Sequence, residues 1–190
     1  MKRFLICTTL LIVAATLTAQ QTAPKAPPKS PAATESATIG GKTITITYSS
    51  PGVKGRAGHI FTKDGLIGHD KTYPVWRAGA NSATILETDS DLDVGIDPIV
   101  RLPKGSYSLY VDVSDPDNWV LIVNKQTGQW GTIYDPKQDL VHAKMAMDTP
   151  KEPVENLKYT LKSFGGSSSN IVKLTLSWEN QNASVLMFLK

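Results

Sequence analysis

The stretch YPVWRAGANSATIL, residues 73–86, places a tryptophan, an arginine and an asparagine around a short Gly-Ala turn. Arg77 beside Trp76 cannot be buried without a partner, because an unpaired guanidinium away from water is very costly. Two roles are open to it. As a corner residue, Arg77 makes an ion pair or bonds backbone carbonyls, with Asn81 closing an Asx-type turn. As a recognition residue, Arg77 faces a small anionic ligand with Asn81 beside it. The corner is the preferred reading, and both residues stay on the list of candidate ligand-binding groups.

Other residues could do chemistry. His59, Asp64 and His69 share the glycine-rich stretch PGVKGRAGHIFTKDGLIGHDK, residues 51–71, which holds five glycines and two of the three histidines. Their intervals of five fit no standard zinc pattern, so no metal site is expected. They are candidates for ligand binding, and their convergence beside Arg77 in a pocket would favour a hydrolase. No serine lies in a Gly-x-Ser-x-Gly elbow, and the histidines stand in unrelated contexts, so a nucleophilic triad finds no support. DVSDPDN, residues 112–118, reads as turn chemistry rather than a calcium loop, since the glycine and distal glutamate are missing. In LETDSDLDVGID, Glu87, Asp89, Asp91 and Asp93 would share one face of a strand, which reads as a solvated edge. Trp119 and Trp178 flank apolar strands and read as core. Trp130, with glycines on both sides in TGQWGTIYD, also reads as core first. An exposed Trp130 ring with Tyr134 nearby would instead suit stacking on a glycan.

These side chains must be positioned by strands. ATIGGKTITITYS reads as a hairpin on Gly40-Gly41, with Ile44, Ile46 and Tyr48 on one face. ATILET alternates. LDVGIDPIV breaks at Gly-Ile-Asp-Pro, and RLPKGSYSLYVDV turns at Pro103-Lys104-Gly105 into a strand. NWVLIVNK has the continuous apolar character of a strand buried on both faces. QWGTIY, LVHAKMAM, NLKYTLKSF, IVKLTLSWE and ASVLMFLK complete about ten strands, the last two joined at Asn-Gln-Asn. No segment carries a sustained helical period. The expected fold is all-β, an antiparallel, jelly-roll-like β-sandwich over residues 37–190, with a closed β-barrel as the alternative.

The ordered series YSSPGVKGR, YPVWRAGANSATIL, LPKGSYSLY, WVLIVNK and QWG…YD resembles the bacterial family catalogued as domain of unknown function 2911, over roughly residues 38–180. Tyr73-Pro74-Val75 stands where that family usually has a Gly-Lys pair, and Ala78 where it tends to have threonine; Arg77, Gly79 and Asn81 keep the pattern. The resemblance implies an exported all-β domain. It carries no activity, catalytic residue or cofactor.

The N-terminus has its own logic. Met1-Lys2-Arg3 is basic, Phe4 to Ala15 is almost wholly apolar, and Ala19 offers a small residue for signal peptidase, so residues 1–19 read as a cleaved secretory signal. The apolar run, about 12 residues, is shorter than the roughly 20 that span a bilayer. QQTAPKAPPKSPAATES, residues 20–36, reads as a disordered leader. Cys7, the single cysteine, falls inside the signal, which leaves no thiol for a disulfide or a thiolate metal site. Of 20 Lys+Arg against 17 Asp+Glu, loss of Lys2 and Arg3 leaves 18 against 17. With no basic block, nucleic acid is not an expected partner. No cofactor is called for. The expectation is a periplasmic or secreted, non-catalytic binding module for a glycan, peptide or small anionic ligand, with a hydrolase using the 51–81 loop region as the alternative.

Overall fold

The computed structural model describes residues 29–166 and 169–190. The signal reading and residues 20–28 of the leader lie outside the described residues. Thirteen strands follow in chain order: β1 (Ala32–Ile39), β2 (Lys42–Ser49), β3 (Val75–Trp76), β4 (Thr84–Thr88), β5 (Leu92–Val94), β6 (Val100–Leu102), β7 (Gly105–Asp112), β8 (Val120–Asn124), β9 (Asp139–Lys144), β10 (Ala146–Asp148), β11 (Val154–Phe164), β12 (Ile171–Glu179) and β13 (Gln181–Leu189). The helical content of the described residues is a single 3-10 turn, Pro136–Gln138.

The strands form two antiparallel sheets. One runs β1-β2-β4-β7-β8-β9, with β3 pairing the far end of β7 beyond β4. The other runs β11-β12-β13-β5-β6, with β10 pairing β13 at Ala146–Asp148. Neither sheet closes on itself, so the architecture is a β-sandwich and not a barrel. The core between the sheets takes Ile44, Ile46, Leu86 and Leu109 from the first and Leu157, Leu174, Leu176 and Met187 from the second. Alternate residues of each strand supply it, as the period of two requires.

β1 begins at Ala32, inside the stretch read as leader, because its alternating Ala-Thr-Ser residues pair with β2 from Ala32↔Ser49 to Ile39↔Lys42. The Gly40-Gly41 turn has φ of +58° and +76°, the left-handed pair that a tight hairpin needs. LVHAKMAM is two strands: β9 lies in the first sheet and β10 in the second, with buried Met145 at the crossing. QWGTIY is a loop held by an isolated Ser82↔Trp130 bridge. The last hairpin turns at Glu179 and Asn180, since Trp178 pairs Gln181. The acids of LETDSDLD do not share a strand face, because the chain crosses between sheets from β4 to β5. Asp89 accepts from the Thr43 N–H at 2.8 Å, while Asp93 pairs Arg101 and Lys190, each at 2.7 Å.

β8 is buried on both faces for a visible reason. Its outer side lies beneath the 126–138 loop, where Tyr110, Ile122 and Ala83 form a second small core with Val75 and Tyr134.

Candidate functional site

One end of the sandwich is closed by residues 51–71, which connect β2 to the β3 region. The segment is ordered by its own backbone: Leu66 and Ile67 N–H groups donate to the His59 and Ile60 carbonyls, both at 2.9 Å. Its glycines permit this folding. A Cβ on Gly68 would lie 1.9 Å from the Lys63 carbonyl oxygen. Ile60 and Ile67 are buried, and Phe61 packs with Trp76, Trp119 and Trp178 at centroid distances of 5.9, 4.7 and 5.6 Å. Trp76 and Trp178 stack at 5.7 Å with their planes 23° apart. Pairs of this kind each add about 0.5–1.5 kcal/mol beyond their burial.

Next to this aromatic plug lies a cavity of about 240 Å³ whose lining includes four cationic side chains, Lys29, Lys54, Arg56 and Arg77, and one acid, Asp70. Arg77 Nη2 donates to both Asp70 carboxylate oxygens at 2.9 Å, and Nη1 reaches the Asn81 carbonyl at 3.3 Å. The Arg77 stem fills the place a side chain would take at Gly131, where an added Cβ would meet Arg77 Cδ at 2.2 Å. Arg77 is therefore pinned at the corner and also forms part of a cavity wall.

Arg56 is fixed differently. Its Nη2 donates to the Gly52 carbonyl at 2.7 Å and its Nε to the Val53 carbonyl at 3.0 Å. These are its only side-chain hydrogen bonds among the described residues, and no carboxylate pairs it there. Lys54 Nζ donates to the Lys29 carbonyl at 2.8 Å. Pro51 to Val53 are in turn tied to β11, with Val53 N–H on the Glu155 carbonyl and Leu157 N–H on the Pro51 carbonyl. A guanidinium held by backbone carbonyls is not paired off by a carboxylate, so Arg56 presents positive charge at the cavity wall.

The remaining candidates are dispersed. His59, Asp64 and His69 are exposed and do not line this cavity, and no group of three His, Cys, Asp or Glu among the described residues is placed to hold a metal. Asn81 forms no Asx turn. Its backbone sits at φ +61°, its carbonyl accepts from Arg77 and Gly131, and its Nδ2 reaches Ser49 Oγ at 3.3 Å. Trp130 is not core: it is 52 % exposed on the outer side of the first sheet. Tyr134 belongs to the 126–138 loop and is half-buried, packed on Tyr110 and donating to Asp139 Oδ2 at 2.5 Å. Burial and the Asp139 carboxylate push its hydroxyl pKa well up.

Sequence reading did not single out Lys54, Arg56 or Asp70. The signal was present in PGVKGR, where two cations follow a Pro-Gly start, but nothing in the sequence placed them in one cavity with Arg77.

The comparisons with known proteins bear on family alone. Residues 30–187 match the family described as Protein of unknown function (DUF2911), and the chain belongs to that family. No curated protein and no solved structure matches it. No helix among the described residues is long and apolar enough to cross a membrane.

Proposed function

We propose that this DUF2911 protein is a non-catalytic binding module for a small anionic ligand, bound through a carboxylate or phosphate group in the cavity between Arg56 and Arg77. The observation that carries the reading is the Arg56 guanidinium, fixed by two backbone carbonyls at the cavity wall with no carboxylate partner among the described residues. Lys54 adds a second cation, Asp70 is occupied by Arg77, and the apolar floor of Leu66, Ile67 and Trp76 suits the organic part of a ligand. The dispersal of His59, Asp64 and His69 gives the hydrolase alternative no assembled acid-base group. With the basic start and apolar run of residues 1–19, the reading extends to an exported protein.

Calorimetric titration at constant ionic strength, with inorganic phosphate and with citrate as separate probes, tests it. Either probe should bind saturably, and Arg56→Ala should weaken binding at least tenfold, since a charge-assisted hydrogen bond contributes about 1.5–3 kcal/mol. Absence of saturable binding to both probes, or equal binding by Arg56→Ala, would overturn the proposal.

A further inference from the structure

A second cavity, of about 350 Å³, lies against the other side of the aromatic plug and has the opposite character. Phe61, Tyr73 and Trp119 give it aromatic surface, and among the described residues no lysine, arginine or histidine lines it. Its one ionisable acid is Glu179, at the turn between β12 and β13. This residue is unusual on three counts. It is only 6 % exposed. Its backbone is in the left-handed region at φ +54°, where glycine or asparagine is the ordinary choice and a longer side chain is disfavoured. Its carboxyl group accepts one hydrogen bond, from the Gly58 N–H, and has no cationic partner among the described residues.

A nearly buried carboxylate is stabilised by hydrogen bonds and by a neighbouring cation. Here the protein supplies one backbone donor and leaves the counter-charge to be provided. Aromatic rings beside a carboxylate are the recognised chemistry for holding an ammonium group, the ring faces attracting the cation that the carboxylate neutralises. The turn itself calls for a positive φ, but a glutamate in place of glycine there, nearly buried at a cavity and without a cation among the described residues, points to a use for its carboxyl group.

We infer that this cavity binds an organic ammonium group, with Glu179 as its counter-ion and Phe61 and Tyr73 as its aromatic walls. The site is independent of the anion cavity: it shares no lining residue with it. The bond from Gly58 N–H to Glu179 ties the 51–71 segment to the β12–β13 turn at the edge of this cavity.

Choline and its neutral isostere 3,3-dimethylbutan-1-ol separate charge recognition from simple burial, and propylamine gives the primary ammonium arm. Binding is read from the Trp119 indole resonances during titration of the isotope-labelled protein. Choline or propylamine should bind saturably, with the neutral isostere at least tenfold weaker. Glu179→Gln, which keeps an acceptor for the Gly58 N–H, should lose at least tenfold of the ammonium affinity and leave phosphate binding unchanged. Equal affinity for choline and the isostere, full ammonium binding by Glu179→Gln with a native spectrum, or no saturable binding of either ammonium would overturn the inference. The wild-type comparison of charged and neutral probes stands even if the variant does not fold.

Discussion

Arg77 and Asp70 form a nearly buried ion pair in which one guanidinium nitrogen reaches both carboxylate oxygens at 2.9 Å, with side-chain exposures of 15 % and 19 %. The pair joins the end of the 51–71 segment to the corner after β3. The same corner lets Arg77 bond the Asn81 carbonyl while its stem packs on Gly131. One side chain therefore ties three pieces of chain together beside the cavity.

Removing the guanidinium leaves Asp70 without its cation and the Asn81 carbonyl without that donor. Arg77→Ala should cost on the order of 2–4 kcal/mol of stability. Arg77→Lys should recover little, because an ammonium cannot make the same set of planar bonds. Chemical denaturation checks both; midpoints equal to wild type would show that the pair contributes nothing.

The Gly131 contact gives a more local test. Gly131→Ala puts a methyl where the Arg77 stem runs, at 2.2 Å from Cδ before relaxation, and should cost about 1–3 kcal/mol. Gly128→Ala is a useful comparison three residues away: its φ is +80° but nothing lies within 4 Å of the added Cβ, so only backbone strain of about 1 kcal/mol is expected. Thermal or chemical unfolding of the two variants should rank Gly131→Ala as the more damaging. The reverse order would show that Arg77 moves aside without cost.

Lys190 at the end of the chain holds the Asp93 carboxyl below the ordinary aspartate value of 3.8, with Arg101 assisting. A depressed folded pKa means stability that is present above the unfolded value and lost as pH falls through the folded one. The Asp93 contribution should therefore disappear only below pH 3.8. Carbon-detected NMR titration should place Asp93 below that value and show it rising in Lys190→Ala. An unchanged Asp93 titration in the variant would contradict the assignment to Lys190. The exposed setting predicts that high salt shrinks the effect.

The parts of this fold that were legible in the sequence are those governed by local rules. Ile44, Ile46 and Tyr48 alternate with threonines and all three are buried in β2. The Gly40-Gly41 turn follows from backbone sterics, and NWVLIVNK reads as a doubly covered strand because both its faces need apolar residues. Where the chain crosses between sheets, periodicity has nothing to mark. The apolar alternation of LVHAKMAM continues through Met145 although the strand changes sheet there, and the acids from Glu87 to Asp93 keep their spacing across a turn.

The candidate site was legible only in part for the same reason. Arg77 stood out because an arginine beside a tryptophan needs an explanation. Arg56 and Asp70 lie 21 and 7 residues before it, within a segment whose path is set by glycines and long-range contacts that leave no periodic trace. Trp130 departs from the core expectation because an aromatic between glycines has the same local pattern whether covered or exposed; the loop around it decides. Glu179 gave no sign, since a glutamate after an apolar strand is ordinary and only the backbone of the turn makes it unusual.

The central claim, an anion bound between Arg56 and Arg77, is tested most directly by the tryptophan indole N–H resonances during titration with inorganic phosphate or citrate. Trp76 and Trp178 line that cavity, Trp119 lines the other, and Trp130 stands exposed on the first sheet. With at least one of the probes, the resonances of Trp76 and Trp178 should shift saturably together, with Trp130 unmoved, and the shifts should vanish in Arg56→Ala. Shifts that never saturate with either probe, that reach Trp130 equally, or that persist in Arg56→Ala would contradict the account.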